Sequence, residues 1–262
     1  MQRLYTLLLY ASLPAILARL WWRGRRNPDY RRRWAERFGL IDPLPAPGAL
    51  WIHGVSLGEV RAALPLVRVL QERYPRRPLL VTTTTPTGSR QVRESLKGVH
   101  HVYLPYDLPG AVERFLTRSR PALGVIMETE LWPNLYSRCQ RRGIPLVVAN
   151  ARLSARSARG YRRLGGLTRP MLDAVAVIAA QGEEDARRFR DLGARRVRLA
   201  GNLKYDLVPP PDLAVQGEAL RESLGTGRPV LLAASTHQGE ELLVLEAFEM
   251  LRRRRPDWLL VL

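Results

Sequence analysis

The sequence predicts an α/β fold, and three observations predict it. Short apolar runs recur from Leu50 onward. Stretches with helical spacing separate them, such as Val60, Ala63, Leu64, Val67 and Leu70, and later Ala186, Phe189 and Leu192. The runs are mostly β-branched or aliphatic and nearly continuous, as suits strands buried on both faces of a parallel sheet. Alternating strand and helix gives a doubly wound arrangement.

Before the first run lies a different kind of segment. Leu4 to Ala18 is uncharged, and Arg19, Leu20, Trp21 and Trp22 follow. Fifteen residues fall short of the roughly 20 that cross a bilayer as a helix. A monotopic anchor and a marginal span both remain open. A cleaved signal peptide is disfavoured, because no small-x-small site follows the apolar core. Residues 1–40 carry nine Arg against Asp29 and Glu36, a net +7. Basic residues beside an apolar segment stay cytoplasmic, which places the body against the inner face of a membrane.

The predicted strands are Trp51–Val55, Leu79–Thr83, Val99–Leu104, Leu123–Met127, Leu146–Ala149 and Ala174–Ala179. Pro209 to Pro211 then break the pattern, since consecutive prolines continue neither a helix nor a central strand. They read as an interdomain linker. A second unit begins with a strand at Val230–Ala234, a helix at Gly239–Arg254 and a strand at Trp258–Leu262. The expected organisation is an anchor and basic segment over 1–40, a first domain over 41–208, and an incomplete second domain over 209–262.

The chain has 262 residues, 46% of them hydrophobic, and a net charge of +18 carried almost wholly by Arg. The apolar content supports a packed core, and the charge attracts anionic lipid, nucleic acid or phosphorylated substrates. The Arg residues are scattered over predicted helices and no nucleic-acid-binding motif is present, which argues against nucleic acid. Cys139, the one cysteine, forms no internal disulfide or Cys-rich zinc site. It falls on a predicted helix, Leu131 to Arg142, as a half-buried residue. No His, Asp and Glu cluster has metal-ligand spacing, and no dinucleotide or Walker fingerprint appears.

In open α/β sheets, sites gather at the carboxyl ends of strands. After the first strand comes HGVSLGE, His53 to Glu59. Ser56 and Glu59 have the spacing of a capping box; Glu59 at a cleft is equally placed to act as a general base. Gly54, Ser56 and Gly58 also match G-x-S-x-G. His100 and His101 enter a strand and His237 lies past the prolines, so a hydrolase triad is disfavoured. After the second strand, Thr85 and Thr87 flank Pro86 at a helix start able to hold phosphate or simply to cap. After the fourth, Glu128 and Glu130 are helix-entry acids or partners of Glu59 across a cleft. Arg152 and Lys204 stand in two later loops, and Lys204 either offsets a leaving phosphate or is a solvated lysine. In the second unit Ser235 and His237 open a helix at a phosphate or ribose position.

Taken together, HGVSLGE, TTTPTG (Thr83–Gly88), VYLPYD (Val102–Asp107), METELWPN (Met127–Asn134), VANARLSARS (Val148–Ser157), GNLKYD (Gly201–Asp206) and STHQ (Ser235–Gln238) resemble the bacterial Kdo (3-deoxy-D-manno-octulosonic acid) transferases in order and spacing. The resemblance implies a GT-B fold of two Rossmann-like domains, the second incomplete here. It implies a CMP-Kdo donor, a lipid A precursor (lipid IVA) as acceptor, an inverting reaction without metal or cofactor, and no nucleic-acid partner. It implies attachment to inner-membrane lipid at the cytoplasmic face. It maps the general base onto Glu59 and the transition-state stabilisers onto Glu130 and Lys204. Ser56, Gly58, Thr85, Thr87, Arg152, Ser235 and His237 are the expected substrate-binding positions. Members of the family are longer and take most nucleotide contacts from the second domain, so this chain is expected not to turn over by itself. A GT-B enzyme using another nucleotide sugar and a basic membrane-surface module are the alternatives.

Overall fold

A computed structural model describes residues 1–207 and 212–262, and the chain divides into two compact units, Met1–Leu207 and Val208–Leu262. The prolines read as a linker lie outside the described residues.

The first unit opens with α1 (Gln2–Arg26), one continuous helix containing Pro14. Two 3-10 turns follow, Pro28–Arg31 and Trp34–Phe38. The alternating part then runs β1 (Ala49–His53), α2 (Leu57–Arg73), β2 (Leu79–Thr83), α3 (Pro86–Ser95), β3 (His100–Tyr103), α4 (Pro109–Ser119), β4 (Pro121–Met127) and α5 (Pro133–Arg141). It continues through β5 (Leu146–Ala151), α6 (Ala155–Arg163), α7 (Gly165–Asp173), β6 (Val175–Ala180), α8 (Glu183–Asp191) and β7 (Val197–Leu199). A last 3-10 turn, Leu203–Asp206, closes the unit.

All seven strands are parallel, in the order 3-2-1-4-5-6-7. The chain therefore winds outward from β1 in one direction and from β4 in the other. The point of reversal lies between β1 and β4, where open α/β sheets form a crevice beyond the strand ends. Burial explains the composition of the central strands: every residue of β1 and β2 is buried. Helices cover both faces, and one core gathers Trp51, Phe115 and Tyr136 while the other gathers Ile52, Val67 and Val92.

The centre of the sheet is tightly fitted. Trp51 pairs in register with Gly124, stacks edge-on against Phe115 with ring centroids 5.3 Å apart, and donates its indole N–H to Thr82 Oγ1 at 2.8 Å. A Cβ at Gly124 would stand 2.6 Å from Leu146 and 2.9 Å from Trp51, so the absence of a side chain makes room for the tryptophan.

The second unit contains α9 (Leu213–Leu224), β8 (Val230–Leu232), α10 (Glu240–Arg254) and β9 (Leu259–Val261). The two strands pair in parallel, Val230 opposite Leu259, which makes one βαβ unit. Of its described apolar side chains only Phe248 is buried.

Some expectations need correction. Cys139 is fully buried rather than half-buried, because α5 turns it into the core. The edge strand β7 and the helix α9 were not foreseen. β7 has three residues, of which Arg198 and Leu199 are exposed, so it lacks the apolar run that marks a central strand.

Candidate functional site

Because the strands are parallel, every βα loop emerges on one edge of the sheet. The loops after β1 and β4 are neighbours there, since these strands pair directly with His53 opposite Ile126. Glu59 stands in the first turn of α2, just after the first loop, and Glu128 and Glu130 lie in the second, so the carboxylates flank the crevice at the point of reversal.

Glu59 is held by its own loop. Ser56 caps α2, its Oγ accepting from the Glu59 N–H at 3.4 Å. The Ser56 hydroxyl donates to Glu59 Oε1 at 2.9 Å, and the Val55 N–H donates to Oε2 at 2.9 Å. The capping-box reading is thus realised with one shift: the returning bond goes to Val55, one residue before the cap. Glu59 is only 8% exposed, yet a carboxylate accepts about four hydrogen bonds, and these two leave it capacity for a substrate hydroxyl.

The β2–α3 loop braces this arrangement. Thr85 caps α3 by accepting from the Gly88 N–H at 3.2 Å. Its hydroxyl donates to the Val55 carbonyl at 3.1 Å, where the Thr84 N–H and hydroxyl also arrive at 3.3 Å each. Three donors on one carbonyl anchor Val55, the residue whose N–H holds Glu59. Arg37, buried against the Tyr103 ring at 4.3 Å, donates to the Thr84 carbonyl at 3.0 Å from beneath. Thr87 is exposed, beside Thr85.

The second loop leaves β4 through a left-handed Glu128, φ 57°, a conformation that turns the chain sharply and costs energy in a non-glycine residue. Tyr136, fully buried, donates its hydroxyl to the Glu130 carbonyl at 2.9 Å. Thr129 donates to the Arg152 carbonyl, tying this loop to the one after β5. The Arg152 side chain itself is exposed.

Electrostatics separates the two acids. Burial pushes Glu130 up to about 7, and the neighbouring charges of Glu59 and Glu128 add to this. Burial also raises Glu59, but the Val55 N–H and the Ser56 hydroxyl oppose that shift before Glu128 adds to it. Its place in the first turn of α2 adds the favourable end of the helix dipole. Of the pair, Glu59 is the better supported as an anion and Glu130 the readier to hold a proton.

Lys204 reaches the same edge by a detour. After the edge strand β7 the chain crosses back, and Leu203 packs on the core cluster that includes Val60 of α2. Asn150, left-handed at φ 54°, accepts the Leu203 N–H on Oδ1 at 3.1 Å. Lys204 follows, exposed and with no acid within ion-pair distance among the described residues. Asn150 was not singled out in the sequence, although a polar residue at the end of an apolar strand was a visible signal. Its Nδ2 is buried without a partner.

Gly58 sits in the first turn of α2, and a Cβ there would meet nothing nearer than Ser56 Oγ at 3.9 Å. Packing within the unit therefore does not require glycine. Ser235 and His237 belong to the second unit, in the turn between β8 and α10. Ser235 is left-handed at φ 62°, and the His237 N–H donates to the Glu240 carboxylate at 2.7 Å. Among the described residues no group of three His, Cys, Asp or Glu is arranged to hold a metal ion.

Residues 32–207 match the family model described as 3-deoxy-D-manno-octulosonic-acid transferase (kdotransferase). The chain belongs to this family. A 3-deoxy-D-manno-octulosonic acid transferase of Haemophilus influenzae is 41% identical over 263 residues, covering 98% of this chain and 62% of that protein. One from Bordetella pertussis is 39% identical over 262 residues, covering 96% and 60%. The chain thus spans about three-fifths of the length of these Kdo transferases. Among solved structures, a putative UDP-N-acetylglucosamine 2-epimerase from Listeria monocytogenes superposes with a TM-score of 0.56 at 14% identity, over 82% of this chain and 62% of that one. The UDP-GlcNAc 2-epimerase of Neisseria meningitidis gives 0.53 at 14% identity, over 82% and 65%. The fold is of the GT-B type, and the family model takes in Glu59, Glu130 and Lys204 together.

Proposed function

We propose that this chain carries the acceptor side of a Kdo transferase that moves Kdo from CMP-Kdo to the lipid A precursor lipid IVA, with inversion and without a metal ion. The observation that carries the reading is the pair of unequal carboxylates at the crevice, within a chain of this family. Transfer to a sugar hydroxyl requires a base to take the hydroxyl proton as the new bond forms. Glu59, held as an anion by two donors, is that base. Glu130, able to keep a proton near neutral pH, donates a hydrogen bond where negative charge builds, and two carboxyls with separated affinities divide such roles naturally. Lys204, a cation without an acid partner, offsets charge on the departing CMP phosphate.

Ser56 and Thr85 support this reading as positioning residues for Glu59. Gly58 leaves space beside it for the acceptor, and Thr87 and Arg152 lie exposed on the same edge for the acceptor's phosphates. Ser235 and His237 are proposed contacts to the donor nucleotide. The division into an anchor and basic segment, an acceptor domain and a nucleotide-sugar domain follows the same proposal, as does attachment to the cytoplasmic face of the inner membrane.

The experiment expresses the protein from its gene through to the stop codon and supplies lipid IVA with CMP-Kdo or with UDP-sugars. Mass spectrometry of the acceptor should show Kdo addition from CMP-Kdo alone. Addition from a UDP-sugar instead would keep a GT-B transferase and replace the donor.

A further inference from the structure

The helix α1 is long enough, at 25 residues, to reach about 37 Å, and by length and composition it passes for a membrane span. Its contacts point elsewhere. At its first turn Gln2 donates to the Pro133 carbonyl at 3.3 Å and to Asn134 Oδ1 at 3.1 Å. Thr6 bonds the same Asn134 side chain at 3.2 Å. At its last turns the Arg23 guanidinium lies 4.5 Å over the Tyr30 ring, and Arg31 donates to the Trp21 carbonyl at 3.3 Å. The turn carrying Tyr30 and Arg31 leads within two residues to Arg33, which donates to the His101 carbonyl at 2.9 Å. Both ends of α1 are therefore fastened to one compact unit. A helix crossing about 30 Å of hydrocarbon carries one end to the far side of the bilayer, out of reach of that unit.

The pattern of exposure agrees. The less exposed positions Tyr5, Leu9, Leu13, Leu17, Leu20 and Gly24 recur every three or four residues, whereas Leu4, Leu7, Leu8, Ala11, Ala15 and Ala18 are exposed. The outer strip is apolar, and charge marks both its ends. Arg3 stands at one. At the other, Arg19, Arg23, Arg25 and Arg26 line a cavity of about 580 Å³ with Trp22 and Tyr30. None of these five arginines has an acid within ion-pair distance among the described residues. Arg25 and Arg26 lie over the Trp21 and Trp22 rings, at 4.9 and 5.9 Å, and both tryptophans are about half exposed. Apolar side chains flanked by unpaired arginines and half-exposed tryptophans complement a bilayer interface with anionic headgroups.

We infer that α1 lies flat in the surface of an anionic bilayer, as a foot fastened at both ends to the body, and does not span it. The inference rests on the preceding reading only in taking a membrane as the partner. It adds an orientation. Gln2 docks on Pro133, three residues after Glu130, so a flat α1 holds the carboxylate crevice beside the lipid surface from which an amphiphilic acceptor is drawn.

The test labels cysteines from either side of the membrane, with no donor or acceptor present, so its outcome is independent of whether transfer occurs. One cysteine is placed in a short Gly-Ser extension ahead of Met1 and another, in a separate protein, at the exposed Arg162→Cys. Cys139 remains in both: it is buried, and burial pushes its thiol up to about 12, so it stays silent. An impermeant maleimide is added to spheroplasts and to inverted inner-membrane vesicles. A flat helix predicts that both reporters label from the same side. Labelling from opposite sides overturns the inference. A second arm measures binding of the purified protein to vesicles of phosphatidylcholine alone or with anionic phosphatidylglycerol. Binding should favour the anionic vesicles, and replacing Arg19, Arg23, Arg25 and Arg26 together by Gln should weaken it by at least about tenfold. Equal binding to both vesicle types, or an unchanged affinity in the fourfold variant, overturns it as well.

Discussion

Glu130→Gln tests the electrostatics of the crevice through stability alone. Glu130 ionises near 7 in the folded protein and near 4.5 when free of its surroundings. The native state therefore binds the proton more tightly than the unfolded chain does, and stability must fall as pH rises between these values. A shift of that size corresponds to about 3 kcal/mol at about 1.4 kcal/mol per unit, an upper bound because part of it belongs to the shared repulsion with Glu59. Gln keeps the shape and cannot ionise. Urea unfolding of the two proteins should give similar stabilities near about pH 4.5, with Glu130→Gln gaining over wild type by about 1–3 kcal/mol by about pH 8. The gain should appear mainly between about pH 5 and 7.5. A difference that stays flat with pH, or grows toward acid, would refute the placement of Glu130 in a desolvated, like-charged site.

The remaining predictions concern the supports around that pair. Thr85→Val removes a helix cap and one donor from the Val55 carbonyl, and should cost about 1–2 kcal/mol in urea unfolding; no loss would deny the brace. Lys204→Ala should leave stability within about 0.5 kcal/mol, because the side chain is exposed and unpaired, yet lower the transfer rate by about tenfold or more; unchanged turnover removes Lys204 from the leaving group. Gly124→Ala forces a methyl against Leu146 and Trp51 and should destabilise by about 1–3 kcal/mol; a neutral result would mean the sheet centre yields more easily than its spacing suggests.

How much of this was legible depended on how strongly each residue's neighbours in sequence determine its surroundings. The central strands were legible because burial on both faces demands unbroken apolar runs, as in Ala49–His53 and Leu79–Thr83. The short edge strand Val197–Leu199 was not, since an exposed edge places no such demand. Glu59 was visible as both cap and candidate base, and the structure keeps it as a cap whose carboxylate is buried and only partly occupied. The closeness of Glu59 and Glu130 could not be read from spacing, because it comes from β1 and β4 being neighbours although two strands intervene in sequence. The same holds for Lys204, returned to the crevice edge by the bond between Asn150 and Leu203. The docking of Gln2 and Thr6 on Asn134 joins residues more than a hundred positions apart, and apolar composition alone leaves a flat and a spanning α1 equivalent.

The most direct test of the central claim is the mass of the acceptor after reaction with CMP-Kdo, for the protein expressed through its stop codon as wild type and as Glu59→Ala. Wild type should add Kdo to lipid IVA, and Glu59→Ala should add it at least about a hundredfold more slowly. Transfer that persists at the wild-type rate in Glu59→Ala would contradict Glu59 as the base, and an acceptor left unchanged by wild type would contradict the transferase itself.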